Sequence, residues 1–364
     1  MTKRRVLRSA SRCIYENLAL EESIFSSLEE GEETLLLWRN RDCVVIGRYQ
    51  NPYIECRLGE LRRDGISLAR RQSGGGTVWH DEGNLCFTFF GSGRSFSRRN
   101  NIELAAEALT GLGVPAEISP RLDILAGGCK ISGSAFRESR GFSFHHGTIL
   151  IRSNLEKLRA YLGGRGEPAA CSPEGNGGET SPWNTDGFGH IKGIRSVPSP
   201  VRNIGPYLET DRPVEAVEAA LAETFARRRF PAAAFKNRNG PAAPRNRNMP
   251  ELAIIDPKTI RETSFLAYLN HIQSRDWLYG ASPPFSRRCR LGRFDCTLDI
   301  RGGIIADLHI AAAEEAGNAD YTETRNAAPD NRIGNSLAGA DLDRLSAEDL
   351  RDLLLGRDYE DPET

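Results

Sequence analysis

Several things are scarce in this chain, and each scarcity excludes something. No stretch approaches the ~18 consecutive apolar residues of a membrane-spanning helix; the longest apolar runs are such as 35–38 and 44–46. No membrane partner is therefore expected. No excess of one charge exists, since 48 Lys and Arg stand against 49 Asp and Glu for a formal net charge of -1. Nothing global points to nucleic acid, so a partner must be recognised locally. The eight cysteines, at 13, 43, 56, 86, 129, 171, 289 and 296, form no CxxC pair. A disulfide scaffold or a tightly bound structural metal is not expected, and reduced thiols suit this spacing. Neither the phosphate loop G-x-x-x-x-G-K-[ST] nor a G-x-G-x-x-G dinucleotide turn is found.

What the chain does have is concentrated in two runs. The first, from Arg70 to Asn84, reads RRQSGGGTVWHDEGN. Three successive glycines remove every Cβ from one point of the backbone, which lets amide groups approach a ligand closely. Arg70, Arg71 and Ser73 bring guanidinium forks and a hydroxyl to the mouth of that turn, groups that suit carboxylate or phosphate oxygens. The second, from Asp123 to Arg137, reads DILAGGCKISGSAFR, followed by Phe144-His145-His146-Gly147-Thr148. One lysine, Lys130, stands there among glycines and small residues.

In this order and spacing the two runs resemble the lipoate-protein ligase and lipoyltransferase family. The segment Gly47-Arg48-Tyr49-Gln50-Asn51-Pro52, the run Val197-Pro198-Ser199-Pro200-Val201-Arg202-Asn203 and the W-x-Y-G-x-S-P-x-F stretch from Trp277 to Phe285 resemble further family segments. The resemblance implies activation of a fatty carboxylate as an acyl-adenylate, which needs positioning and charge stabilisation rather than a covalent nucleophile. Lys130 is then the catalytic residue, its compact ammonium bridging acyl carbonyl and phosphate. The same resemblance implies that Arg71 and Ser73 hold the nucleotide. Gly74, Gly75, Gly76 and Thr77 supply backbone donors, and Trp79 and His80 wall the site. Asn84, Arg121, Asp123, Ser132, Gly133, Arg137 and Thr148 complete the ligand surface, and the backbone at Val197 and Ser199 faces the adenine.

The implied substrate is lipoyl-AMP, with ATP and Mg2+ required if the chain is a full ligase. Implied partners are lipoyl domains of 2-oxo acid dehydrogenase acyltransferase subunits and the glycine-cleavage H-protein. The expected activity is transfer of a lipoyl group from lipoyl-AMP or lipoylated H-protein to a lipoyl-domain lysine. The rivals are an ATP-dependent ligase performing both steps and a non-catalytic lipoyl-domain binder. A biotin ligase is disfavoured by the missing G-R-G-R-x-G-R loop, and an acyl-enzyme on Cys129 remains a further rival.

The patterning predicts an α+β fold with a mixed, largely antiparallel sheet flanked by helices; the resemblance implies that this is the biotin/lipoate ligase-type domain, followed by a small α+β C-terminal accessory domain. Residues 1–14 read as a basic tail or short presequence, which suits a mitochondrial matrix location with the cytoplasm as the alternative. Residues 15–235 read as the catalytic domain, with a Gly-, Pro- and Ser-rich mobile insert at 163–190. A linker follows at 236–250 and the accessory domain at 251–364. Helices are expected at 15–28, 56–64, 101–112, 155–162, 214–230, 259–274 and 341–355. Strands are expected at 34–38, 43–46, 67–71, 85–90, 117–118, 122–125, 144–151, 289–300 and 304–311.

Overall fold

A computed structural model describes residues 3–93, 96–162, 188–191, 194–227, 252–291 and 294–312. The chain forms two compact units, one from Met1–Arg48, Glu55–Ala169 and Ser196–Gln273, the other from Tyr49–Ile54, Ala170–Arg195 and Ser274–Thr364.

The first unit begins with β1 (Lys3–Ser9), α1 (Ile14–Ser26), β2 (Glu32–Trp38) and β3 (Cys43–Ile46). Next come α2 (Pro52–Glu55), whose last residue opens the unit's second segment, α3 (Leu58–Arg63), β4 (Ser67–Arg70), β5 (Val78–His80) and β6 (Asn84–Ser92). They are followed by α4 (Arg98–Thr110), β7 (Ala116–Ile118), β8 (Ile124–Ala126), β9 (Cys129–Ser132), β10 (Ser134–Ser139), β11 (Phe142–Leu150) and α5 (Leu155–Tyr161). After β12 (Phe188–Ile191), which belongs to the second unit, α6 (Pro213–Arg227), β13 (Leu252–Ile255) and α7 (Thr263–Gln273) complete the first.

Its main sheet has the order β10-β11-β6-β2-β1-β13, with β1 parallel to both neighbours and the remaining pairs antiparallel. Every residue of β2 and β6 is buried. That is why these strands read as continuous apolar runs, because both faces are covered. On one face Leu35, Leu37, Leu85, Phe87 and Phe89 join Ile102, Leu109, Val217, Leu221 and Phe225 in a single core, with Phe89 stacked on Phe225 of α6 at 5.9 Å. Each such side chain contributes ~1.5–3 kcal/mol by leaving water. On the opposite face α1 lies against Phe144, whose ring meets Phe25 edge-on at 5.1 Å. Two three-stranded sheets, β4-β3-β5 and β7-β8-β9, carry the glycine run and the lysine run.

The second unit contains an antiparallel sheet, β12 with β14 (Phe285–Leu291), β15 (Phe294–Arg301) and β16 (Ile304–Ala312). Tyr53 packs there against Tyr279 and Phe285 at 5.8 and 5.3 Å.

The expected α+β architecture is present, with several corrections. Residues 3–9 are not a tail but a strand, paired with β2 and β13 and with Val6 and Leu7 buried. Residues 252–273 belong to the first unit, so the later unit takes up the chain at Ser274 and borrows Tyr49–Ile54. Residues 188–190 of the expected insert lie in β12. The expected strand 289–300 is two strands with Leu291 opposite Phe294, since an alternating pattern does not reveal where it folds back. Leu122 takes a φ of 62° and β8 starts only at Ile124. The rest of the insert (163–187), the linker 236–250 and the helix at 341–355 lie outside the described residues. Among the described residues no helix is long and apolar enough to cross a membrane.

Candidate active site

β4 ends at Arg70 and hands the chain to the glycine loop, which is held from below by Arg71. Its Nη2 donates to the carbonyls of Gly74 (2.6 Å) and Gly76 (2.7 Å), its Nη1 to Val45 O (3.2 Å) and its Nε to Ser73 Oγ (3.1 Å). Burial lowers this guanidinium to about 10, opposed by Glu21. In this structure Arg71, expected to hold a nucleotide, donates to the glycine loop and to β3. Gly75 takes a φ of +90°, and a Cβ on Gly47 would stand 2.2 Å from Gly75 O. The glycine of the G-R-Y-Q-N-P segment is there so that two backbones can touch.

Beneath the loop runs a buried polar relay. Ser73 Oγ lies 2.6 Å from His146 Nε2, and His146 Nδ1 lies 2.9 Å from Glu21 Oε1. Thr88 Oγ1 donates to the same Glu21 oxygen at 2.7 Å and accepts from Trp38 Nε1 at 3.1 Å. With Nδ1–H facing the carboxylate, Nε2 accepts the Ser73 hydroxyl proton, and Ser73 in turn accepts from Arg71. A buried carboxylate is costly unless its oxygens are bonded; here three elements of the fold bond one another through it. His80, also buried, faces Asn40 Nδ2 at 2.9 Å. Burial, then Arg71 and His146, lower it to about 3, so it is neutral near pH 7 and no proton donor.

Lys130 lies on β9, half-buried, with Nζ 2.9 Å from Asp123 Oδ1. A Cβ on Gly133 would meet its Cε at 3.3 Å, its Nζ at 3.5 Å and Thr148 Oγ1 at 3.9 Å. Lys130, Asp123, Gly133 and Thr148 are therefore one group. β10 links that group to the glycine loop, because a Cβ on Gly75 would touch Ala135 Cβ at 3.6 Å. Cys129 precedes Lys130 on the same strand and points to the other face, which gives the acyl-enzyme rival no support.

The run from Ser196 to Arg202 spans the two motifs. Thr77 N donates to Ser196 Oγ at 2.9 Å. At the far end Lys130 N donates to Pro200 O at 2.8 Å and Arg202 N to Lys130 O at 3.1 Å, a short parallel bridge between Lys130 and Val201. Val197 on this strap is 62% exposed and Ser199 is half-buried. Thr77, expected to offer its amide to a ligand, gives it here to the strap.

The other expected residues have contacts of their own within the fold. Trp79 stacks on Tyr161 at 5.3 Å and donates from Nε1 to Asp81 Oδ2 at 2.9 Å. Asn84 is fully buried, its Nδ2 turned to Cys86 Sγ at 3.4 Å. Arg137 pairs with Glu22 and stacks over Phe25 at 4.9 Å, so it anchors α1. Arg121 is exposed at a turn, its amide bonded to Ser119 Oγ. Ser132 is buried beside Lys130 on the strand, with no partner for its hydroxyl. The sequence reading missed Glu21, Trp38, Thr88, Glu55 and Ser196. Only Glu21 left a signal: it falls between Leu18 and Phe25 on the apolar stripe of α1, where an acid has no packing reason to be.

Comparison with known proteins now bears on this geometry. A family model described as "Lipoyl protein ligase A/B catalytic domain" matches residues 13–179. A lipoate-protein ligase A from Psychrobacter cryohalolentis is 35% identical over 313 residues, 85% of this chain and 83% of that protein. The structure of P. falciparum LipL1 in complex with lipoate is similar at a TM-score of 0.58 and 27% identity, covering 84% of each chain. A bipartite lipoate protein ligase with its E2 lipoyl domain from Thermoplasma acidophilum shares the fold, with a TM-score of 0.55 and 20% identity over 77% of this chain and 98% of that one. Glycine loop, lysine group and similarity over more than four fifths of both chains together place this chain in the lipoyl protein ligase A/B family of lipoyl-transferring enzymes.

Proposed function

We propose that this enzyme is an ATP-dependent lipoate-protein ligase that also carries out transfer, with lipoyl domains of 2-oxo acid dehydrogenase acyltransferase subunits as acceptors. The observation that carries this reading is the placement of Lys130, a half-buried ammonium held by Asp123 and bridged to the glycine loop by the Ser196–Arg202 strap. The sequence alone favoured a transferase using lipoyl-AMP or H-protein. Similarity over most of both chains to a protein named as a ligase supports free lipoate and ATP as the starting materials.

The chemistry divides into two steps. A lipoate carboxylate oxygen attacks the α-phosphorus of ATP, which enters as its magnesium complex, and pyrophosphate departs with the P–O bond electrons. The mixed anhydride is then attacked at its carbonyl by the acceptor lysine's amine; the amide forms, AMP leaves and the amine loses a proton. Lys130 Nζ lies against the carbonyl and phosphate oxygens where negative charge develops in both steps. Asp123 keeps it aimed, Gly133, Ser132 and Thr148 line the same wall, and Gly74 to Gly76 lie along the adenylate path. The strap residues Val197 and Ser199 cover the adenine.

Purified protein with lipoate and ATP is expected to release pyrophosphate, and addition of apo lipoyl domain to yield a lipoylated lysine. Transfer from lipoyl-AMP without pyrophosphate release from lipoate and ATP would instead mean a transferase. No transfer from either donor would leave the non-catalytic binder.

A further inference from the structure

Glu55 is buried, pairs with no cation among the described residues, and lies outside both sequence motifs. Its carboxylate accepts from Ser196 N at 3.2 Å (Oε1) and 3.3 Å (Oε2), from the Ser196 hydroxyl and from Thr77 Oγ1 at 3.3 Å. These bonds offset the cost of burying the charge. They also fix the hydroxyl of Ser196: its proton points to Glu55, so its lone pair is turned to Thr77 N–H, which it accepts at 2.9 Å. A Cβ on Gly76 would meet Ser196 Oγ at 3.1 Å, so strap and loop are in contact where this knot is tied. Without the carboxylate, Ser196 loses the acceptor of its backbone amide and of its hydroxyl together. That loosens the tie between strap and loop at Ser196, while the strap's other end stays paired to Lys130.

We propose that Glu55 is a positioning residue for the lipoyl-transfer reaction. Acting through Ser196, it holds the strap across the glycine loop and so sets the retention of the acyl-adenylate, without touching the reacting atoms. The proposal rests on the functional reading above, in that lipoyl-AMP is taken as the species the strap covers.

The test uses the full chain and synthetic lipoyl-AMP, with wild type, Glu55→Ala, Glu55→Gln, Ser196→Ala and the double variant Glu55→Ala/Ser196→Ala. Transfer to apo lipoyl domain gives KM and kcat, and calorimetric titration with lipoyl-AMP in the absence of acceptor gives Kd. Glu55→Ala and Ser196→Ala are each expected to raise KM and Kd for lipoyl-AMP about tenfold with kcat within about threefold of wild type. The double variant is expected to match the singles rather than multiply them, because both cut one chain of contacts. Glu55→Gln, which keeps one carbonyl acceptor, is expected to fall between. Unchanged Kd in a folded Glu55→Ala protein, a loss confined to kcat, or multiplying effects in the double variant would overturn the assignment. Should Glu55→Ala fail to fold, Glu55→Gln and Ser196→Ala carry the same comparison. A wild type that binds lipoyl-AMP but transfers nothing would defeat the functional reading, and the Kd ratios would still decide the role of Glu55.

Discussion

Ser73 Oγ and His146 Nε2 stand 2.6 Å apart, 73 residues distant in sequence, and through them the glycine loop is bonded to the central sheet. Ser73 is almost wholly buried, and its hydroxyl ties the loop to His146 and Arg71. Ser73→Ala strips His146 of its donor and Arg71 of one acceptor, and leaving buried groups unpaired costs ~1–3 kcal/mol. Urea unfolding should show that loss, and the transfer rate should fall with it as the loop loosens. A variant as stable as wild type would contradict the relay.

Gly47 and Gly59 make a contrasting pair. An added methyl at Gly47 would collide with Gly75 O at 2.2 Å, whereas at Gly59, inside α3, nothing lies within 4 Å. Gly47→Ala should destabilise by ~1–3 kcal/mol through forced backbone movement, with activity falling as the glycine loop shifts. Gly59→Ala should be neutral or stabilising by up to ~1 kcal/mol, since it removes freedom from the unfolded chain and favours the helix. Equal stability of the two variants in thermal melts would refute the close approach.

In the proposed mechanism, replacing Lys130 removes a charge aimed at the developing oxyanion. Lys130→Ala is expected to lower kcat/KM by ~10²- to 10³-fold, the usual cost of losing such a donor. Its half-exposed pair with Asp123 contributes at most ~1 kcal/mol to stability, so unfolding should barely change. Lys130→Arg should not restore activity, because a planar fork cannot occupy the position of a compact ammonium against Gly133. Undiminished transfer by folded Lys130→Ala would rule out the proposed role.

His145 provides a pH signature. Its ring lies fully buried between Phe87, Phe89 and Phe136, and neither nitrogen has a partner. Burial first, then His146 and Arg98, holds it well below its ordinary range. The unfolded chain takes up that proton near pH ~6.5, so below this pH the folded state binds fewer protons. Stability is therefore full above pH ~6.5 and is lost as pH falls, with ~1.4 kcal/mol per pH unit from this ring. His80, lowered to about 3, adds a second such contribution. His145→Phe should reduce the slope of unfolding free energy between pH ~6 and ~5 by about the contribution of one proton. An unchanged slope would show that this imidazole is not neutral in the folded protein.

Much of this molecule was written locally. The apolar runs at 35–38 and 85–90 announced strands, and the three glycines with Lys130 marked the two runs proposed to form the site. Arg71 shows where local reading stopped: an arginine beside glycines suits a phosphate equally well as it suits the carbonyls of its own loop. The choice rests on how far Nη2 lies from Gly74 and Gly76 after folding. Residues 3–9 show the same limit, since an arginine-rich run suits a tail until neighbouring strands on both sides pair with it and bury Val6 and Leu7.

The order of residues alone settled which backbone points lack a Cβ, where a single cation stands among small residues, and which runs must be buried, because those are properties of side chains one at a time. Folding decided that Glu21 meets His146, that Glu55 meets Ser196 and that the strap joins both motifs. Such pairings arise between segments 70 or more residues apart, and hydrogen bonds only a few ångströms long form where the packed sheets bring those segments together.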